Sequence, residues 1–380
     1  MDRVSTFELM NKDNKLADLE VNRSRAYITA VKGDMPGFIG DITDWIDRRT
    51  SPIGRANINS LLKLAGIRDK IEYLKVTHCI SLTDTLWVRE IGSSITWDKV
   101  SPYRNRLSRI IAEVALNCEY RGIGNLRSPS PEYTLDGSAY KCWKRENGTV
   151  YLYKTTGEKW SGITGNRPYC EYYACQVAKQ LIGDRLDYVR YNIKVAKTRE
   201  GRLKAYAKCP IFTSEKYGYL PIDESKYWKY SFSELDHMMD TRSRIILREM
   251  LLLDSVILNH DRHGGNYGFL FNNDSYRIVG MSPIFDNDCS LGYGVSLNSN
   301  SIEEAYNIAG NLQPRTELGG YIKQARMSLT QELVSNMKNM YPFHFDRLPK
   351  EIDLEDERIE FMEYIVNNQI KAILGRGNTV

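Results

Sequence analysis

Residues 259–268 read Asn-His-Asp-Arg-His-Gly-Gly-Asn-Tyr-Gly (NHDRHGGNYG). The segment gathers one acid, two histidines, one arginine, two asparagines and a Gly-Gly pair. It follows a largely apolar run, Ile245–Leu258, which predicts a helix, and it precedes Tyr267–Phe271, which predicts a strand. A polar loop between two apolar elements is costly to hold in one conformation, so its residues point to a task beyond connection. Downstream, Ile284-Phe285-Asp286-Asn287-Asp288 sets a carboxylate at the end of an apolar strand. A hairpin around Asn272-Asn273-Asp274 separates the two segments.

The spacing narrows the chemistry. Asn266 lies five residues beyond Asp261, and Asp286 lies 20 beyond Asn266. Enzymes that transfer phosphoryl groups in the kinase manner use an Asp, an Asn five positions on, a hairpin and a second Asp. The first Asp orients the attacking hydroxyl and takes its proton. The Asn amide oxygen and the second Asp hold Mg²⁺ against the nucleotide phosphates. Mg²⁺ is a hard ion that takes oxygen ligands, which Asn and Asp supply. Asp261 is therefore the candidate catalytic residue, with Asn266 and Asp286 as candidate metal ligands. A zinc site on His260, Asp261 and His263 is disfavoured, because no helix-borne HxxxH or third ligand at a usual spacing is present. The two histidines are read as loop-shaping residues that bond the backbone, and Arg262 as the partner of a nearby carboxylate.

HDRHGGNYGFL followed by IFDND resembles the HipA-like serine/threonine kinases of bacteria, and more distantly the catalytic loop of phosphatidylinositol kinases. The resemblance covers about residues 130–380. It implies an α+β, bilobal, protein-kinase-like fold, with a small β-rich lobe and a large helical lobe, and an additional helix-rich N-terminal domain. It implies ATP and Mg²⁺ as cofactors and a protein hydroxyl as acceptor. It also implies a phosphate-contacting lysine, matched by Lys154 after the run Val150–Tyr153, and an acid to pin it, matched by Glu171 on a helix at Tyr169–Leu181. The family's phosphate loop resembles Thr134–Lys141, so backbone N–H groups near Gly137 would meet phosphate oxygens. Cys209 and Phe212 fall where an inter-lobe hinge would offer backbone groups to adenine. Relatives often act beside an antitoxin or DNA-binding partner, so such a partner is expected.

The chain also departs from its likenesses. It has no GxGxxG, unlike eukaryotic-type kinases. In several HipA-like kinases a serine of the phosphate loop phosphorylates itself. Here the nearby positions are Thr134 and Asp136, with Ser128 and Ser130 further upstream, so the resemblance does not supply that serine. Residues 1–120 resemble the N-terminal extension of HipA-like proteins from Firmicutes, on NKD, SLTDTLW and Trp97-Asp98.

The whole chain of 380 residues fits this frame. Its 42% hydrophobic and 26% charged residues suit a globular protein, and no apolar run approaches the roughly 20 residues of a membrane span. The N-terminus shows no apolar signal core, and seven cysteines lack any CxxC pair, so a reducing cytoplasm is expected. A net charge of +4 is too mild to indicate direct nucleic-acid binding.

The expected division is an N-terminal accessory domain at 1–120, a linker at 121–131, a kinase N-lobe at 132–212 and a helical C-lobe at 213–380. Helices are expected at Ile39–Arg49, Ile58–Leu64 and Tyr103–Leu116, and a hairpin about Asn147-Gly148. Three other readings stay open: a lipid or small-molecule kinase with the same loop, a nucleotide-binding pseudokinase, and a DNA-associated regulator. The last follows from relatives that act beside a DNA-binding partner. The basic excess over residues 48–75 adds only a weak hint, since a solvated helix face accounts for it better.

Overall fold

The structure is a computed structural model that describes residues 4–50, 55, 57–117, 126–156, 166–185, 187–197, 203–298 and 300–375. By contacts the chain forms two compact units. The first comprises Met1–Gly157, Pro210–Leu220 and Leu270–Val279, and the second Glu158–Cys209, Pro221–Phe269 and Gly280–Val380. The first unit thus joins the expected N-terminal domain to the hairpin at 140–155. Residues 121–125 of the expected linker lie outside the described residues. Leu126 is tied back to the preceding helices through its N–H to the Leu64 carbonyl at 2.9 Å.

The first unit opens on β1 (Ser5–Asn11), β2 (Asn14–Val21) and β3 (Ala26–Val31), followed by α1 (Ile42–Thr50), α2 (Ile58–Ala65) and α3 (Lys70–Thr77). Then come β4 (Leu86–Glu90), α4 (Trp97–Val100) and α5 (Arg109–Asn117). The four strands form one antiparallel sheet in the order β3-β2-β1-β4. Phe7, Leu9, Leu19 and Val88 of the sheet pack with Trp45, Ile46 and Leu74 of the helices.

Sequence reading found α1 and α2 and the region of α5, but not α3, α4 or this sheet. β1 is buried on both faces from Phe7 onward, so it shows no apolar–polar alternation. Its one interior charge, Glu8, is held by Arg89 opposite it on β4 at 2.7 Å and by Lys15 at 2.9 Å. The expected helix at Tyr103–Leu116 begins only at Arg109. Asn105 turns its amide onto the Asp98 and Ser101 carbonyls, and Ser108 Oγ accepts the Ile111 N–H to start the helix.

β5 (Tyr140–Glu146) and β6 (Thr149–Thr155) form the expected hairpin. Asn147 and Gly148 both have positive φ, at 47° and 84°, as a two-residue primed turn requires.

The second unit carries α6 (Asn166–Ile182) and the antiparallel pair β7 (Asn192–Lys197) and β8 (Leu203–Pro210). β9 (Tyr217–Pro221) falls almost wholly in the first unit, as do residues 270–272 and 278–279 of the two later strands of its sheet. After it come α7 (Phe232–Met238), α8 (Thr241–Ile257), β10 (Gly268–Asn272) and β11 (Ile278–Met281), with the three strands ordered β11-β10-β9. α9 (Ile302–Asn311), α10 (Tyr321–Ser328), α11 (Gln331–Asn339) and α12 (Asp356–Ile373) complete the unit. α8 is its axis: from Ile246 to Ile257 only Arg248 is not buried. α6, α10 and α12 all pack on it. No helix of the described residues is long and apolar enough to cross a membrane.

Gly292 tests the packing of the loop that follows the Asp286 segment. Its φ is +70°, and a Cβ would be driven into the Phe361 ring on α12, which is fully buried. Gly292→Ala combines left-handed backbone strain with overpacking. It is expected to cost on the order of 2–4 kcal/mol, read from the urea midpoint of unfolding.

Candidate active site

The loop 259–267 is built on the C-terminal end of α8. Leu258 ends that helix in the left-handed conformation, at φ 51°. Asp254, one turn back, is fully buried. Its carboxylate takes the Arg262 guanidinium at 2.9 Å and 2.8 Å, and its Oδ1 also accepts the Asn259 amide at 2.9 Å. Arg262 is therefore turned inward, as the pairing expected from the sequence requires. Burial alone would disfavour the cation, but the Asp254 carboxylate outweighs it and holds the pKa above the ordinary arginine value.

The same guanidinium reaches three further oxygens. Nη1 donates to the Asn266 carbonyl at 3.0 Å and to the Phe285 carbonyl, and Nη2 donates to Asn287 Oδ1 at 2.7 Å. One side chain thus ties the segment bearing Asp261 and Asn266 to the segment bearing Asp286. The second segment is also anchored by a parallel bridge, with Val189 donating to Ile284 O at 2.8 Å and Ile284 donating to Asp187 O at 2.7 Å.

Inside the loop the backbone is closed on itself. Asp261 N–H donates to Asn259 Oδ1 at 3.1 Å, and the Asp261 carbonyl accepts the His263 N–H at 2.8 Å and the Asn266 amide at 3.1 Å. One N–H of the Asn266 amide is used in this way. Its oxygen, the atom a hard cation needs, accepts no hydrogen bond among the described residues. Gly264 is required by close approach: a Cβ there would lie 2.7 Å from Asp223 Cβ. Ile222 and Asp223, in the turn against it, both donate to the Gly264 carbonyl.

His263 Nδ1 accepts the Gly265 N–H at 3.1 Å, the loop-shaping role read from the sequence. His260 makes its contact to the Cys289 carbonyl through its backbone N–H, at 3.4 Å. Burial lowers its ring pKa below the ordinary histidine value.

Asp261 keeps its side chain 27% exposed, and its Oδ1 meets Arg315 Nη2 at 2.7 Å. Asp286 sits at φ +60°, a conformation aspartate tolerates better than most residues. One carboxylate oxygen each from Glu171, Asp286 and Asp288 lie within 4.8 Å of one another. Glu171 is fully buried and accepts the Asn287 N–H at 2.8 Å. Arg167 balances Asp288 at 3.3 Å. A cluster of hard oxygen donors of this size fits a divalent cation such as Mg²⁺ or Mn²⁺. Asp286→Asn is expected to weaken Mn²⁺ binding at least about tenfold, followed by the EPR signal of the free ion. Unchanged affinity would remove the cluster as a cation site.

The other expected residues fall on both units. Glu171 and Cys209 belong to the second, and Cys209 is buried in β8. Lys154, Gly137 and Phe212 belong to the first. Lys154 is buried in β6, opposite Lys141 on β5. Gly137 needs its φ of +92°, and its N–H is turned onto Asp136 Oδ1 at 2.6 Å. Phe212 packs edge-on against Tyr219, with ring centres 5.6 Å apart.

The sequence reading left out Asp254 and Arg315, and it kept Asp288 out of the metal ligands as a residue beside the second metal or a cap. A lone aspartate inside Leu251-Leu252-Leu253-Asp254-Ser255-Val256-Ile257 is a signal that could have been used, since a buried charge needs a partner. Arg315, 54 residues beyond Asp261, gives no such signal.

Neither the protein-family models nor the curated proteins contain a match to this chain. Solved structures do. The HipA chain of a Shewanella oneidensis MR-1 HipA–HipB toxin–antitoxin complex with operator DNA aligns over 97% of both chains, with a TM-score of 0.55 and 12% identity. The Helicobacter pylori proinflammatory kinase CtkA aligns over 62% of this chain and 93% of its own, with a TM-score of 0.42 and 18% identity. The fold is a mixed α/β fold of the protein-kinase class. Within that class it is the HipA-like fold, on the full-length match to the Shewanella protein.

Proposed function

We propose that the chain is an ATP- and Mg²⁺-dependent protein kinase acting on serine or threonine hydroxyls. One observation carries this reading: the buried Arg262 guanidinium bonds both Asn266 O and Phe285 O, joining the Asp261–Asn266 loop to the Asp286 segment. Asp261 orients the acceptor hydroxyl and takes its proton on the carboxylate. The Asn266 amide oxygen and the Asp286 carboxylate hold the metal, and Glu171 and Asp288 stand beside Asp286 to assist. Mg²⁺, when bound, would neutralise charge on the transferring phosphate. Lys154 is assigned to the α/β-phosphates, with Glu171 as the acid that pins such a lysine in this class. Gly137 is assigned to the phosphate loop, and the backbone at Cys209 and Phe212 to adenine.

The Shewanella HipA was solved with HipB and operator DNA. By analogy an antitoxin-type, DNA-binding partner is proposed here, with the cytoplasm as the setting and no membrane association.

The test uses ATP labelled at the γ-phosphate, Mg²⁺ and a bacterial extract. Label in a protein band, lost with Asp261→Ala, is the expected result. Label in lipid or small molecules would keep phosphoryl transfer and overturn the acceptor class. Nucleotide binding without transfer to any fraction would make the chain a pseudokinase.

A further inference from the structure

The segment 312–320 between α9 and α10 is pinned on both sides of Arg315. Pro314 and Leu318 are buried. Thr316 Oγ1 donates to Gln324 Oε1 at 2.6 Å, and the fully buried Gln324 donates to the Leu251 carbonyl of α8 at 2.8 Å. Glu317 Oε1 accepts the Phe232 N–H at 2.6 Å, and the Tyr321 hydroxyl donates to the Leu312 carbonyl at 2.7 Å. The loop thus projects one long side chain from a fixed base. That side chain is 58% exposed, and its Nη2 lies 2.7 Å from Asp261 Oδ1.

Exposed ion pairs contribute little to stability, so this one needs another reason to be built on a rigid support. The catalytic loop has no cation of its own for the purpose. Arg262 is committed inward to Asp254, and the His263 Nδ1 takes a backbone N–H. Among the described residues, Arg315 is the cation in salt-bridge reach of Asp261. An anionic carboxylate must face an anionic phosphoryl group across the acceptor oxygen, and that repulsion raises the barrier. A guanidinium beside the carboxylate offsets it, and it has four further N–H donors in a planar fork suited to phosphate oxygens.

Building on the kinase reading above, we infer that Arg315 is a further catalytic residue, which holds Asp261 through Oδ1 and binds the transferring phosphoryl group. The acceptor hydroxyl uses the other carboxylate oxygen. As its oxygen bonds to the γ-phosphorus, its proton passes to Asp261. The bond from the γ-phosphorus to the β-bridging oxygen breaks, and its electron pair leaves on ADP. Arg315 stabilises the charge on the equatorial oxygens during that exchange.

Hydrolysis of ATP by water separates this role from peptide recognition, because it needs no protein acceptor. Arg315→Ala and Arg315→Lys would be compared with wild type for transfer to protein, for basal ATP hydrolysis and for nucleotide affinity. Arg315→Ala is expected to slow both reactions about a hundredfold or more, with nucleotide affinity changed by less than about threefold. Added guanidinium ion at millimolar levels should restore part of the lost rate, which a purely structural role would not allow. Arg315→Lys should fall between the two, because it keeps the charge and loses the fork.

Unchanged or faster turnover in Arg315→Ala would overturn the inference and make the residue a cap on Asp261. Loss of protein transfer with normal hydrolysis would also overturn it, in favour of an acceptor contact. A wild-type protein that neither hydrolyses ATP nor transfers phosphate would instead overturn the kinase reading on which the inference rests.

Discussion

Asp261→Ala is expected to lower phosphoryl transfer by about a hundred- to ten-thousandfold while leaving nucleotide affinity and unfolding unchanged. The reason lies in which atoms of Asp261 the loop uses. Its N–H is bonded to Asn259, and its carbonyl accepts from His263 and Asn266. Those bonds survive removal of the carboxylate. The side chain itself makes an exposed contact to Arg315, whose loss costs the fold little. Initial rates with labelled ATP, calorimetric nucleotide binding and a urea melt would be measured on the same preparation. A variant as fast as wild type would remove Asp261 as the base. A variant that also lost nucleotide binding would show that the carboxylate supports the nucleotide site rather than the acceptor.

How much of this could be read in advance varies with the range of the interactions. Local chemistry was readable. Asn147-Gly148 demands a primed turn, and HDRHGGN with IFDND carries the candidate residues Asp261, Asn266 and Asp286. Expected and observed helices agree closely at α1, α2 and α6. Two kinds of feature escaped. β1 is buried on both faces from Phe7 onward, so its burial erased the alternation by which a strand is recognised. Arg315 gains meaning only from the neighbours that the fold brings to it. The division into units is similarly non-local. Residues 210–220 and 270–279 fold with the first unit, and no change of composition along the chain marks that.

The second large effect concerns Arg262, and it separates stability from function. Arg262 and Asp254 form an ion pair with each side chain 1% exposed. Arg262→Ala leaves a buried carboxylate without its counter-charge, and such a break costs about 3–5 kcal/mol. A urea midpoint shifted by that amount, with loss of phosphoryl transfer, is the expected result. Alone, it would not show whether the arginine matters to the site or only to the fold. The double variant Asp254→Leu/Arg262→Met answers that. Exchanging a buried ion pair for apolar groups of similar size is often neutral, so much of the lost stability should return. Function should not return. The Asn266 carbonyl, the Phe285 carbonyl and Asn287 Oδ1 would still lack the donor that ties loop to segment. Misplacing catalytic groups by about an ångström costs on the order of a hundredfold in rate. The double variant should therefore be folded, slow by about that factor, and weaker for Mn²⁺. Recovery of both stability and rate would mean that the pair serves α8 alone. In that case the placement of Asp286 would depend on the backbone bridge from Ile284 to Asp187 and Val189.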